Sequence, residues 1–369
     1  MTATAPDDAP LLEVSGLFKR FPIAGSDKAV HACDDVSIDV RRGETLGLIG
    51  ESGSGKTTLG RCLLRLIEPT SGEILFDGQD VVRLDKRSLR RLRKDLQIVF
   101  QEPYDSLNPQ LTIGFQIGEP LRIHTKLSAD ERKQRVRELL ELVGLPRTVA
   151  ESLPGALSLG TIQRCSIARA VATEPKLIVL DEPTSALSPE AEAGVIKLLK
   201  DLQEQLGLAY LFISHDLSLI SEICDRVAVM YLSQVVEMGT REEIFAHPRH
   251  PYTRALLAAA LVPDPRRRRS DEARAERLHG EIPSPIDLPQ GCYLASRCPY
   301  VRDRCRTEPQ VLRPVEGDAG HRARCWRVVE GDLTAAEIEA ARARALAEER
   351  ARAHDVEIAV EATAEDAPA

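Results

Sequence analysis

Residues 45–58 read TLGLIGESGSGKTT, an apolar run followed by a glycine-rich turn, a lysine and two threonines. After them, apolar Leu59, Cys62, Leu63 and Leu66 recur at helical spacing. A strand, a loop of the form GxxxxGK[ST] and a helix, in that order, are typical of a phosphate-binding loop. The stretch therefore predicts an α/β fold in which a parallel strand leads into a nucleotide site.

Each part of this loop has a predicted chemical role. The glycines let backbone N–H groups turn toward a β-phosphate, Lys56 adds a charge on the β- and γ-phosphate oxygens, and Thr57 offers its hydroxyl to Mg²⁺. The alternative, a chance glycine turn, is disfavoured because a strand and a helix flank the motif. The predicted nucleotide-binding loop residues are Gly50, Ser52, Gly53, Ser54, Gly55, Lys56, Thr57 and Thr58.

A second motif supplies carboxylates. Residues 176–183 read KLIVLDEP, an apolar strand that ends in Asp181 and Glu182. Asp181 is placed to hold Mg²⁺ through water, and Glu182 to polarise an attacking water. His215 follows another apolar strand and would reach the γ-phosphate from the same sheet edge. In isolation the carboxylate pair fits a helix cap or turn, and a lone histidine is usually structural.

The wider chain alternates short apolar runs with longer helical patterns from Leu11 to about Met238. Nearly all-apolar runs at 45–49, 96–100, 177–180 and 210–213 predict strands buried on both faces. Residues 126–143 predict an exposed helix in a helical insertion, stopped by Gly144.

Composition limits the class of protein. The chain has 369 residues, 43% hydrophobic and 29% charged, with a net charge of −8, which excludes collagen-like and wholly disordered classes. No apolar run approaches the ~18 residues of a membrane span, and the acidic start is unlike a signal peptide, so a cytoplasmic location is expected. The charge does not favour nucleic acid, and the basic run Arg266–Arg269 fits a solvated linker.

Taken together, the motifs resemble the ATP-binding subunits of ABC transporters, specifically the F-type subunit of oligopeptide and dipeptide importers, over residues 11–326. The general features are the phosphate loop, Gln101 in FQEPYDSLNP, the 158–164 stretch, Asp181-Glu182 and His215 in ISHD. The subfamily markers are that Gln101 segment, HPRHPYTRALL from His247, and GEIPSP from Gly280 followed by Gly-Cys292.

The resemblance implies a P-loop NTPase ABC nucleotide-binding domain at 11–260. This domain has a mostly parallel sheet core, an antiparallel β subdomain and a helical subdomain at about 102–172. A small Cys-containing C-terminal extension at 261–330 and an Ala/Glu/Arg-rich solvated tail at 331–369 would follow.

It also implies site roles. Gln101 resembles the sensor that links Mg²⁺ and ATP to the membrane subunits, which gives Glu182, His215 and Gln101 as catalytic residues and Thr57, Gln101 and Asp181 as the Mg²⁺ set. Phe21 resembles the adenine platform, with a core residue as the alternative. ATP would lie between two such domains, with Ser158 and Gly160 offered to the partner's γ-phosphate by a helix N-terminus.

The implied partners are a D-type ATPase subunit in a heterodimer, two permease subunits and, indirectly, an extracytoplasmic solute-binding protein. The implied location is the cytoplasmic face of the membrane, and the implied cargo is a peptide. The alternatives are a nickel or other small-solute importer, a soluble ABC ATPase of translation or DNA repair, and a nucleotide-binding protein without turnover.

Two motifs depart from the family pattern. The usual Leu-Ser-Gly-Gly-Gln signature is altered at Leu159 and Thr161, and Ser188 replaces the usual aspartate of Ser-Ala-Leu-Asp. A leucine at a left-handed position would cost about 1–2 kcal/mol. Both motifs lie in parts given to the partner's site, so we expect an asymmetric pair with one slow ATP site.

The eight cysteines fall into two groups. The late group, Cys292, Cys298, Cys305 and Cys325, has neither zinc-ribbon nor ferredoxin spacing, and cytosolic disulfides are improbable. Since some relatives carry an iron–sulfur cluster here, a [4Fe–4S] site on these four is one interpretation; zinc and unligated thiols are the others. The early group, Cys33, Cys62, Cys165 and Cys224, is predicted to be buried and hydrophobic.

Overall fold

A computed structural model describes residues 9–259, 278 and 280–347. The chain divides into two compact units, Met1–Val235 and Val236–Ala369. The basic run Arg266–Arg269 and tail residues 348–369 lie outside the described residues. Within the part of the chain that the structure describes, no helix is both long enough and apolar enough to cross a membrane.

A parallel sheet forms the centre of the first unit. Its strands are β3 (Thr45–Ile49), β6 (Leu96–Val99), β7 (Leu177–Asp181), β8 (Ala209–Ile213) and β9 (Arg226–Tyr231), in the order β9-β3-β8-β7-β6. Every residue of β3, β7 and β8 is buried, as predicted. The prediction is wrong for β6, because this strand lies at the sheet edge and leaves Gln97 and Ile98 half-buried.

The first unit also contains a second sheet, which is antiparallel. It contains β1 (Leu12–Pro22), β2 (Ala29–Val40), β4 (Ser71–Phe76) and β5 (Gln79–Asp80) in the order β2-β1-β4-β5. Leu12, Val14 and Leu17 of β1 are buried, so one face of this long strand supplies the apolar contacts that hold the sheet.

The first unit also contains helices α1 (Lys56–Leu63), α2 (Lys86–Leu92), α6 (Pro189–Leu206) and α7 (Leu217–Ile223). In α1, Leu59, Cys62 and Leu63 are buried as their spacing predicts. Leu66 is not: the helix ends at Leu63, Arg65 adopts a left-handed φ of 51°, and Leu66 is 45% exposed. The apolar periodicity therefore extends one turn beyond the helix itself.

The helical part of this unit consists of α3 (Ile113–His124), α4 (Ala129–Leu142) and α5 (Leu159–Val171), with 3₁₀ turns at Arg147–Glu151 and Pro154–Ala156. Ser128 and Glu131 form a capping box that starts α4. The predicted helix over 126–143 is confirmed with slightly shorter bounds, and Gly144, at φ 73°, follows its end.

The second unit is built from short elements. They are β10 (Gln234–Thr240), α8 (Arg241–Ala246), α9 (Pro251–Ala259), α10 (Asp303–Thr307), β11 (Arg313–Val315), β12 (Asp318–Ala323) and α11 (Trp326–Val329). Strand β12 pairs with β10 and β11. The buried Glu237 carboxylate accepts the N–H groups of Arg249 and His250 and lies 2.7 Å from His321 Nε2. Polar bonding thus organises a unit with little regular structure.

Candidate functional site

The phosphate loop bends where only glycine fits. Gly50 has φ 151°, and a Cβ there would lie 2.1 Å from the carbonyl oxygen of Met230. Gly55 has φ 104°, and its Cβ would lie 2.0 Å from the carbonyl oxygen of Ala32. Both positions lack room for a side chain and need a backbone that L-residues avoid. The loop is thereby turned sharply between β3 and the N-terminus of α1.

Lys56 and Ser54 are buried inside this loop. The Lys56 ammonium donates to the carbonyl oxygens of Gly50 at 2.8 Å and Glu51 at 2.9 Å. Burial lowers the pKa of Lys56, and the nearby carboxylates of Glu182 and Asp181 oppose that shift. Among the described residues, the buried Ser54 hydroxyl has no hydrogen-bond partner. An orphaned hydroxyl beside a buried cation suits an incoming phosphate oxygen.

Thr57 and Asp181 meet at the start of α1. The Thr57 hydroxyl donates to Asp181 Oδ1 at 2.9 Å. Asp181 is only 1% exposed, and burial raises the pKa of its carboxyl group. Its Oδ2 has no hydrogen-bond partner in the part of the chain that the structure describes. Since hydroxyl and carboxylate oxygens are the ligands Mg²⁺ prefers, these two side chains fit the cation predicted for this site. When bound, Mg²⁺ would neutralise phosphate charge.

Glu182 is the point where the predicted catalytic residues converge. Its Oε2 accepts a hydrogen bond from Gln101 Nε2 at 3.2 Å, and its Oε1 lies 3.2 Å from His215 Nδ1. Gln101 was predicted as a Mg²⁺ ligand, and here its amide is hydrogen-bonded to the Glu182 carboxylate. Glu182 adopts a left-handed φ of 46°, held by its N–H on the carbonyl of Ile213 at 2.9 Å.

Phe21 is accessible on β1. The residue is 37% exposed, and the Lys19 ammonium lies 4.6 Å from the ring centroid. The alternative interpretation of Phe21 as a core residue is therefore wrong. An exposed aromatic ring with a cation nearby suits an adenine ring, which stacks on aromatic faces and carries acceptor nitrogens.

The signature segment begins a helix as predicted, with an altered hydroxyl pattern. Ser158 caps α5 by accepting the N–H of Thr161 at 3.3 Å, and the two hydroxyl oxygens are 2.9 Å apart. Leu159 is the first residue of α5, and its φ is not positive. The 1–2 kcal/mol backbone strain therefore does not arise at Leu159. Gly160 lies near α6, since its added Cβ would be 3.2 Å from Ala191 Cβ.

Ser188 stabilises the start of a helix. It is the N-cap of α6 and accepts the N–H of Ala191. Serine and aspartate are nearly equivalent N-caps, so the substitution keeps the start of α6 intact. What changes is the charge, because the usual carboxylate is absent from this surface.

Three contributors were not predicted from the sequence. Lys19 lies over Phe21, Thr161 binds Ser158, and the Tyr104 hydroxyl donates to the carbonyl oxygen of Leu157 at 2.9 Å. The only sequence signal for Tyr104 is its place three residues after Gln101, inside a motif already singled out. Contacts between distant segments leave no periodic trace in a single sequence.

The early and late cysteines differ in their surroundings. Cys33, Cys62, Cys165 and Cys224 are buried, as predicted, and burial raises the pKa of Cys62 to about 11. The late group lines one small cavity of the second unit: Cys292, Cys298, Cys305 and Cys325. Burial raises the pKa of the Cys292 thiol to about 12, so this thiol is protonated when no metal is bound.

The sulfur spacing tests the metal alternatives. Among the described residues, no three of the late cysteine sulfurs lie within 4.8 Å of one another. Zn–S bonds of about 2.3 Å would put tetrahedral sulfurs about 3.8 Å apart, so the arrangement does not form a closed zinc site. All four late cysteines nevertheless line the same small cavity.

Fold and site together define a phosphate-loop ATPase of the ABC class. Residues 33–185 match the family model described as ABC transporter. Residues 236–305 match the one described as oligopeptide/dipeptide transporter, C-terminal region. The chain belongs to the ABC transporter family, in the group of ATP-binding proteins that carry this C-terminal region.

Named relatives agree with this assignment. A Brucella ovis protein named for peptide import ATP binding is 48% identical over 322 residues, covering 87% of this chain and 98% of its own. The dipeptide transport ATP-binding protein DppF of Haemophilus influenzae is 44% identical over 324 residues, covering 86% and 97%. The ABC fold and the ATPase class predicted from the sequence are confirmed.

A solved structure matches the fold as well. The ATP-binding cassette MJ0796, as a dimer in a post-hydrolysis state bound to ADP and phosphate, is 29% identical with a TM-score of 0.58. The match covers 62% of this chain and 98% of that one. The cassette fold thus accounts for somewhat less than two thirds of the chain.

Proposed function

We propose that this chain powers a peptide importer by binding and hydrolysing ATP at the site built on Lys56, Thr57, Asp181 and Glu182. The observation that carries the proposal is the convergence of Gln101 and His215 on the Glu182 carboxylate at 3.2 Å each. The printed names of the Brucella and Haemophilus relatives, peptide import and dipeptide transport, support peptides as the cargo.

In the proposed reaction, Glu182 orients a water and accepts its proton while the water oxygen bonds to the γ-phosphorus and the bond to the bridging oxygen breaks. Lys56 and the loop N–H groups hold the β- and γ-phosphate oxygens. His215 and Gln101 keep the Glu182 carboxylate pointed at the water. Because Gln101 lies on the loop after β6, ATP occupancy would be felt by the helical part of the unit.

The proposed assembly is a heterodimer with a second, D-type ATPase subunit at the cytoplasmic face of the membrane. Two permease subunits would complete it, and an extracytoplasmic binding protein would deliver the solute. Ser158 and Gly160 at the start of α5 would face the ATP held by the partner. The Ser158–Thr161 hydroxyl pair and the uncharged Ser188 cap support a slower site on the partner's loop.

Native isolation tests this proposal directly. The chain is purified from its own membranes, the co-purifying subunits are identified, and ATP turnover is measured with and without a peptide-loaded binding protein. We expect an ATPase partner, two permeases and peptide-stimulated turnover. Activity that depends on ribosomes or DNA, or stimulation by nickel and not by peptides, would contradict the proposal.

A [4Fe–4S] cluster on the four late cysteines is proposed as a structural group of the second unit. It would bridge segments that share little apolar core, as small cysteine-rich modules require. The bonded sulfurs would be Cys292, Cys298, Cys305 and Cys325. Trp326 Nε1 donates to Cys305 Sγ at 3.3 Å, an interaction typical of the surroundings of cluster sulfurs.

Anaerobic purification is expected to give a coloured protein with iron and sulfide in equal amounts. Cys298→Ala should abolish the visible absorption, because a cluster ligand is lost. The control is Cys62→Ala, a buried cysteine of α1 outside the cavity, which should keep it. A colourless, metal-free wild-type protein would leave unligated thiols, and zinc without iron would favour the zinc alternative.

A further inference from the structure

The loop at 101–107 contacts both Glu182 and the segment that precedes α5. At its start, Gln101 bonds to Glu182 of this chain's own site. Three residues later, the Tyr104 hydroxyl donates to the carbonyl oxygen of Leu157 at 2.9 Å. Leu157 immediately precedes Ser158, the N-cap of α5. One short loop therefore contacts both the hydrolytic carboxylate and the signature end of α5.

The same loop is tied to α5 at two further points. Ser106 Oγ lies 3.3 Å from Ser166 Oγ, and Arg169 Nη1 donates to the carbonyl oxygen of Ser106 at 2.6 Å. Of these two α5 residues, Ser166 is buried and Arg169 is half-buried. The loop is thus hydrogen-bonded to α5 near the start, the middle and the end of the helix. We therefore expect a displacement of Gln101 to move α5 as well.

The Tyr104 bond acts on a particular peptide group. The Leu157 carbonyl and the Ser158 N–H belong to one planar unit, so a donor held on the carbonyl fixes the direction of that N–H. The ring of Tyr104 is 43% exposed, and the apolar core does not require it. The hydroxyl, through its hydrogen bond to the Leu157 carbonyl, is therefore the part of this side chain that fixes the backbone before α5.

We infer that Tyr104 is a positioning residue for the ATP of the neighbouring subunit, because it sets the signature end of α5 according to the state of Gln101. The inference rests on the proposed function, in which α5 faces the partner's γ-phosphate. Occupancy of this chain's site would change the Glu182–Gln101 contact, move the loop, and rotate the 157–158 peptide through Tyr104. The hydroxyl thus couples one ATP site to the other.

The test compares Tyr104→Phe with a matched control in the purified native complex. Tyr210 also donates its hydroxyl to a backbone carbonyl, that of Leu199 at 3.0 Å, but inside the core on β8. We expect Tyr104→Phe to lower kcat about fivefold, the weight of one neutral hydrogen bond. The KM for ATP, ATP-analogue binding to the isolated chain and the Tm should stay unchanged, since the proposed site does not include Tyr104 and this residue is 43% exposed.

Tyr210→Phe should do the reverse, lowering the Tm while kcat per folded complex is maintained. A merely structural role for Tyr104 would make it behave like this control. If wild-type complex turns over ATP and Tyr104→Phe leaves kcat unchanged, or shifts KM as much as kcat, the inference is wrong and the proposed function stands. Wild-type complex without any ATP turnover would contradict the proposed function itself.

Discussion

The native complex carrying Glu182→Gln is expected to hydrolyse ATP about 10²–10⁴ times more slowly than wild type, the range for loss of a general base. Glutamine keeps the shape of Glu182 and an oxygen for the Gln101 bond but cannot take a proton from water. ATP binding should persist, because Lys56, Ser54 and Thr57 are untouched. Turnover by phosphate release and binding of an ATP analogue are the two measurements.

Two comparisons make this prediction decisive. Glu190→Gln, in the exposed first turn of α6, should retain turnover and controls for loss of charge. The equivalent glutamate change in the partner subunit tests the asymmetric pair, since a slow partner site implies a smaller loss there. Equal losses would reject asymmetry, and full activity of Glu182→Gln would remove Glu182 from its proposed role.

Lys56→Ala is expected to weaken ATP binding about 100-fold, or about 2.7 kcal/mol. The ammonium is buried and already poised by two loop carbonyls at 2.8 and 2.9 Å, so its attraction for phosphate is little screened by water. Equilibrium titration with a fluorescent ATP analogue measures the change. A thermal-unfolding measurement checks that the chain stays folded when the Gly50 and Glu51 carbonyls lose their hydrogen bonds to Lys56.

Lys200→Ala is the matched lysine control. Its ammonium pairs with Glu222 at 2.8 Å on the exposed side of α6, and exposed pairs contribute little. ATP affinity should therefore match that of wild type. Comparable losses in both variants would indicate a general charge effect and would contradict a phosphate role for Lys56.

Local sequence patterns were enough for the parallel sheet and the phosphate loop. Apolar strands such as β3 and β7 owe their burial to their own residues, and the turns at Gly50 and Gly55 need glycine because no other residue fits. These features are encoded within a few neighbours along the chain. The same reasoning located Asp181 and Glu182, because parallel strands deliver their carboxyl ends to one sheet edge.

Features set by tertiary position were predicted less well. Strand β6 has an apolar sequence, yet its edge position leaves it half-buried, and Leu66 continues the α1 pattern after the helix has ended. Neither the Tyr104–Leu157 bond nor the hydroxyl pair of Ser158 and Thr161 was predicted. The expected strain at Leu159 depended on a backbone angle, and a single sequence does not specify φ.

The left-handed backbone of Glu182 gives this position opposite effects on thermal stability and on the catalytic role proposed for its side chain. A non-glycine residue there carries about 1–2 kcal/mol of conformational cost, which glycine would relieve. A screen for thermostable variants would therefore select replacements of this glutamate, and under the proposed function each of them would lack ATP turnover. Variants chosen for endurance therefore need a turnover assay before they are accepted.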